Sequence, residues 1–81
     1  AWHNAGVLLS RLGALDTARI AYEKATIFEQ QVYQYHYAYL EFLIQKKKED
    51  SVNIEKAFAA AEAIFGNTSD LTELRSKWEK S

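Results

Sequence analysis

The chain has no cysteine, no proline and no methionine, and only three glycines among its 81 residues. Without cysteine there is no disulfide framework, no thiolate metal ligand and no cysteine nucleophile. Without proline, and with glycine confined to Gly6, Gly13 and Gly66, little in the sequence interrupts a helix. Neither charge sign dominates, because ten basic and eleven acidic residues leave a formal net charge of −1. That balance offers no bulk attraction to phosphate, so direct nucleic-acid binding is not expected. No apolar run approaches the ~18 residues of a membrane span, and no secretory-signal pattern is read at the start.

Apolar residues make up 48% of the chain and charged residues 26%, a composition that folds rather than stays disordered. A chain of this length buries only about 60–65% of the surface its unfolded form exposes, so an isolated monomer is marginal. The sequence opens at Ala1-Trp2 inside a helical pattern with no N-cap residue. It therefore reads as a piece of a longer protein.

Periodicity predicts five helices. Trp2, Ala5, Leu9 and Leu12 share one helical face, and Gly13 stops that helix where a left-handed residue is needed. Asp16 is expected to cap a second helix reaching Glu29, with Ala18, Ala21, Tyr22, Ala25 and Phe28 on its buried stripe. The short Gly13–Leu15 link predicts an antiparallel hairpin. A third helix spans about 31–48 and carries Tyr33, Tyr35, Tyr37, Tyr39 and Phe42. Its apolar residues occupy more than one face, so it should pack on two sides. Ser51 or Asn53 opens a fourth helix, with Ile54, Ala57, Phe58, Ala61, Ile64 and Phe65 inward, and Gly66-Asn67 ends it. Ser69 or Asp70 caps a fifth, whose Leu71, Leu74 and Trp78 share a face.

The chain also resembles itself. A shift of 33 residues lays Trp2, His3, Ala5 and Leu9 over Tyr35, His36, Ala38 and Phe42. A shift of 39 lays Ala18, Glu23 and Ala25 over Ala57, Glu62 and Ile64, with the difference taken up in the loop. Trp2-x2-Ala5-Gly6-x2-Leu9, followed by Ala18-x3-Tyr22 and Ala25, resembles the tetratricopeptide repeat (TPR) family. That family's pattern is W-x2-L-G-x2-Y and then A-x3-F over about 34 residues. The usual closing proline is absent. His36-x2-Tyr39-x2-Phe42 is also similar to the core of the half-a-TPR variety. The resemblance implies an all-α helical-repeat solenoid of two antiparallel hairpins, at residues 1–30 and 31–66, closed by a capping helix at 69–80.

It also implies a non-catalytic scaffold or adaptor that holds a partner peptide or helix on its concave face. His3, Val7, Ser10, Arg11, His36, Leu40 and Leu43 are the expected lining. A chaperone-type carboxylate clamp is not expected, because His3 and Val7 stand where Lys and Asn would be. Two alternatives are a half-a-TPR scaffold in an RNA-processing complex and a homo-oligomerisation module. The tyrosines read as core, with Tyr33 or Tyr37 left over for an interface. Lys46-Lys47-Lys48 reads as a solvated loop, since Glu49 and Asp50 follow at once. There is no Gly-rich phosphate loop, metal-ligand pair, cofactor motif or nucleophile motif. An intracellular location, cytoplasmic or nuclear, is expected.

Overall fold

A computed structural model describes residues 1–80. Five helices follow one another: α1 (Trp2–Arg11), α2 (Leu15–Phe28), α3 (Tyr33–Lys46), α4 (Ser51–Phe65) and α5 (Ser69–Lys80). No strand occurs among the described residues, and no helix there is long and apolar enough to cross a membrane.

The turns follow local chemistry. Gly13 has φ +82°, and the amides of Gly13 and Ala14 donate back to the carbonyls of Ser10 and Leu9. This is a Schellman ending, in which the left-handed residue is cheap only as glycine. Gly66, with φ +79°, ends α4.

The capping residues differ from those expected. Ala14, not Asp16, precedes α2, and Asp16 lies in the first turn, where it pairs with Lys47 at 2.8 Å. Asp50, not Ser51 or Asn53, caps α4. Its Oδ1 accepts from the Asn53 amide at 3.4 Å and its Oδ2 from Asn53 Nδ2 at 2.9 Å. Thr68 Oγ1 accepts from the Leu71 amide at 3.2 Å and so caps α5.

Asn53 donating to Asp50 holds that carboxyl below its usual range, and the Lys47 ammonium does the same for Asp16. A depressed carboxylate contributes stability above its unfolded pKa of about 3.9 and loses it as pH falls through the folded value. The melting temperature should therefore drop as pH is lowered below about 4. Asp50→Asn keeps a good cap without the titrating group. Its melting curve is expected to depend less on pH over that window; an acid limb as steep as the parent's would show that Asp50 contributes nothing to it.

Long-range contacts fix the helix directions. Trp2 stacks on Phe28, and Gly6 lies against Tyr22, so α1 and α2 are antiparallel. Arg19 reaches the Tyr39 hydroxyl and Asp16 reaches Lys47, so α2 and α3 are antiparallel too. Tyr33 bonds Thr68, while the Trp78 indole donates to the Lys48 carbonyl, so α3 and α5 run parallel. The helices thus go up and down in alternation, with α1, α3 and α5 in one direction.

The core forms around α3. Tyr39, Leu40, Phe42 and Leu43 meet Ala18 and Tyr22 of α2, Ile54, Ala57, Phe58 and Ala61 of α4, and Leu71 and Leu74 of α5. Alanines at Ala18, Ala21, Ala25, Ala57 and Ala61 let neighbouring helices approach closely. The radius of gyration is 11.6 Å, close to the ~12 Å of a compact chain of this length.

Three apolar positions depart from the expected core. Leu12 is 71% exposed, Phe28 67% and Trp2 42%. Trp2 and Phe28 instead cover one another at the hairpin's edge, with the Lys24 ammonium over the Trp2 ring. Burial also recurs along the chain. A shift of 34 lays Gly6 and Leu9 over Leu40 and Leu43, and a shift of 36 lays Ala18, Ala21, Tyr22 and Ala25 over Ile54, Ala57, Phe58 and Ala61. All eight residues of the second set are buried, whereas a shift of 39 would pair buried Ala21 with exposed Ala60.

Candidate functional site: the open face of α1, α3 and α5

Helix α3 is buried on most of its circumference but keeps one polar strip. Gln34, Ala38, Glu41 and Gln45 recur at helical spacing and line clefts or face solvent. Two clefts flank that strip.

The first lies between α1 and α3 and has a volume of about 220 Å³. His3, Val7 and Ser10 line it from α1, and Ala38, Glu41, Gln45 and Lys46 line it from α3. Tyr22 and Phe42 form its floor, with ring centroids 4.9 Å apart. His3 is held by two rings: it stacks on Tyr35 at 4.8 Å and meets Tyr22 edge-on at 5.9 Å. Its Nδ1 is the one buried side-chain polar atom without a hydrogen-bond partner among the described residues. Burial pushes the Tyr22 phenol above its ordinary pKa, and the nearby Glu41 carboxylate adds to the shift. The cleft therefore presents a neutral phenol and one carboxylate beside Lys46.

The second cleft lies between the beginnings of α3 and α5. Tyr33, Gln34, Tyr37 and Asp70 line about 370 Å³. The Tyr33 hydroxyl is tied to Thr68 Oγ1 at 2.8 Å, and its ring meets Phe65 edge-on at 5.1 Å. The Tyr37 phenol is pushed up by burial first and then by the charges of Glu41, Asp70 and Glu73.

The seven residues expected to line a groove divide. His3, Val7 and Ser10 come together in the first cleft. Arg11 is exposed but does not line it. His36, Leu40 and Leu43 are core residues, with His36 3% exposed and the two leucines fully buried. This is a correction with a simple cause. Successive helical residues are turned by about 100°, and a one-residue error in register moves a side chain from the open face into the core. The residues that succeed Leu40 and His36 by one, Glu41 and Tyr37, are those that reach the clefts. His36 serves the fold instead: its Nε2 lies 2.9 Å from the Gln30 carbonyl, and its ring meets Phe65 edge-on. A buried imidazole bonded to a turn carbonyl holds the α2–α3 connection in place.

Sequence reasoning missed Gln34, Ala38, Glu41 and Gln45. Their spacing is helical and three of the four are polar, but the tyrosines between them give α3 apolar residues on several faces, which hides the open one. The lysine run is also divided: Lys47 pairs with Asp16, while Lys46 joins the first cleft and the Lys48 carbonyl receives Trp78.

The opposite side carries a shallow groove between α2 and α4, lined by Thr26, Ile27, Ala60, Ala63 and Ile64, with Gln30 and the buried His36 also at its wall. Its walls are largely apolar and uncharged. No group of three or more His, Asp or Glu side chains gathers to hold a metal ion among the described residues. No family model, no curated protein and no solved structure matches the chain.

Proposed function

We propose that the chain is a non-catalytic protein-interaction module of the helical-repeat, TPR-like type, and that it holds a partner peptide or helix on the face formed by α1, α3 and α5. The observation that carries this reading is the pair of clefts on either side of the α3 strip. They combine aromatic floors with a few polar groups at their edges, which is how peptide grooves obtain both area and orientation. The repeat reading draws support from the alternating helix directions and from the buried positions that superpose at a shift of 36. It also draws support from α5, whose Leu71 and Leu74 face inward while Thr72, Glu73, Lys77 and Glu79 stay in solvent. A polar outer face is what a terminal helix needs to close a stack.

The test uses a peptide selected from a random library for binding to this chain. Ala38 lines the first cleft, so Ala38→Arg would crowd it with a long charged side chain. Binding is expected to fall by about tenfold or more, as it does when a central contact of about 1.4 kcal/mol or more is lost. A thermal melt confirms that the variant stays folded. Undiminished binding by a folded Ala38→Arg protein would place the partner elsewhere.

A second reading, self-association, has its own observation. Apart from Val52, the exposed large apolar residues all belong to α1, α2 or their junction: Trp2, Leu8, Leu12, Ile20, Ile27 and Phe28. Exposed apolar side chains of that kind bury against a partner in many assemblies. Sedimentation across a concentration series separates the readings, since self-association raises the mass and a free groove does not.

A further inference from the structure

We propose that the cleft between α3 and α5, walled by Tyr33 and Tyr37 and edged by Asp70, binds an organic cation: the guanidinium or ammonium group of an arginine or lysine side chain on a partner. The proposal rests on reading the α1, α3 and α5 face as a partner-binding face, and it names the chemistry that one part of that face selects.

Three observations point this way. The first is shape. The cleft holds about 370 Å³, within the range of small-ligand sites. The second is its walls. The Tyr33 and Tyr37 rings both line the cleft, with centroids 6.4 Å apart and planes inclined by 38°. Aromatic faces carry negative quadrupole potential and attract a cation placed over them. Tyr33 is already fixed by its bond to Thr68 and its contact with Phe65. That pre-organisation lowers the entropy lost when a ligand enters.

The third is charge. Asp70 lines the cleft, and Glu41 and Glu73 lie close enough to act on the Tyr37 phenol in the same direction. Two helices begin nearby, and their N-termini carry opposing partial charges of roughly +0.5 each. Asp70 is the charged side chain that lines the cleft, and it supplies the counter-charge for a cation. Gln34 adds an amide oxygen able to accept from a guanidinium. The cleft therefore offers a flat cation two aromatic rings, a carboxylate and an amide acceptor together.

The probe is N-acetyl-arginine methylamide, with its citrulline counterpart as a control of nearly the same shape and no charge. The readout is the set of ring resonances of Tyr33 and Tyr37 in the intact chain, followed by aromatic carbon–proton NMR. The arginine compound is expected to move both rings saturably, and the citrulline compound to bind about tenfold more weakly, the loss of one exposed cation–π contact plus one exposed ion pair. Asp70→Asn is expected to weaken the arginine compound about two- to fivefold, as loss of one exposed pair does. Glu41→Gln should act in the same direction. Both substitutions lie on exposed helix surface, and thermal melts confirm that each variant is folded. Equal binding of the two compounds, or Tyr rings that do not respond, would overturn the proposal. If a library-selected peptide meanwhile perturbs His3 and Ser10, the groove reading survives and only the cation site is lost.

Discussion

Replacing Gly6 with leucine is expected to lower the melting temperature by more than about 10 °C. A Cβ at Gly6 would meet the Cγ and Cδ2 atoms of Tyr22 at 3.0 Å, a tight contact that the ring would have to relieve by a few tenths of an ångström. Neighbouring rings limit how far it can shift: it stacks on Tyr39 at 6.4 Å, leans on Phe42 at 4.9 Å and meets His3 edge-on. Alanine at this position would gain about 1 kcal/mol of helix propensity, which partly offsets overpacking of about 1–3 kcal/mol. Leucine adds three more carbons to the same contact, and the loss should reach about 3 kcal/mol. For a domain of this size each kcal/mol shifts the midpoint by about 4–8 °C. Circular-dichroism melts of Gly6→Ala and Gly6→Leu give the comparison. A leucine variant that melts with the parent would mean that α1 does not pack on Tyr22.

Phe58→Ala is expected to cost about 3–5 kcal/mol, the usual loss for a buried phenylalanine. Phe58 is fully buried at the centre of α4. Trp78 of α5 stacks on it at 6.2 Å, and the Arg75 guanidinium lies 4.3 Å over its ring. Arg75 is itself held by Glu55 at 3.0 Å and Glu62 at 3.5 Å. Removing the ring takes away the surface on which α5 docks. A domain of this length is stable by about 4–12 kcal/mol in all, so the variant should retain little cooperative structure. Urea unfolding followed by tryptophan emission is the measurement. The Trp78 contribution should shift to the red before the chain unfolds globally. A loss below about 1 kcal/mol with unchanged emission would contradict this account of α5.

The helices were legible because their signals are local. A glycine at φ +82° or +79° ends a helix whatever surrounds it, so Gly13 and Gly66 were readable. The inward stripes of α4 and α5 were readable for the same reason: Ile54, Ala57, Phe58, Ala61, Leu71 and Leu74 are all buried. Periodicity gives a face, however, and not the neighbour that covers it. Trp2, Leu12 and Phe28 satisfy their helical faces but stand at an edge that no further helix covers among the described residues. The caps failed differently. Asp50, Ser51 and Asn53 are all competent cap residues in one short stretch, and only the path of the chain selects Asp50.

Half of the candidate site was readable and half was not. His3, Val7 and Ser10 lie on a helix with one covered side, so their exposure follows from their position in α1. Leu40 and Leu43 lie on a helix packed by α2, α4 and α5 together, and no local pattern reports that third neighbour. Once α5 is docked, the open strip of α3 must be the polar one, at Gln34, Ala38, Glu41 and Gln45.

The measurement that tests the central claim most directly is a chemical-shift map of the nitrogen-15-labelled chain, titrated with a library-selected peptide. The account predicts that His3, Ser10, Tyr37, Glu41 and Gln45 respond, while Leu8, Leu12, Ile27 and Phe28 stay still. Responses confined to those four apolar residues, with the α1, α3 and α5 face unperturbed, would contradict it and make the exposed apolar residues of the first hairpin the working surface of the protein.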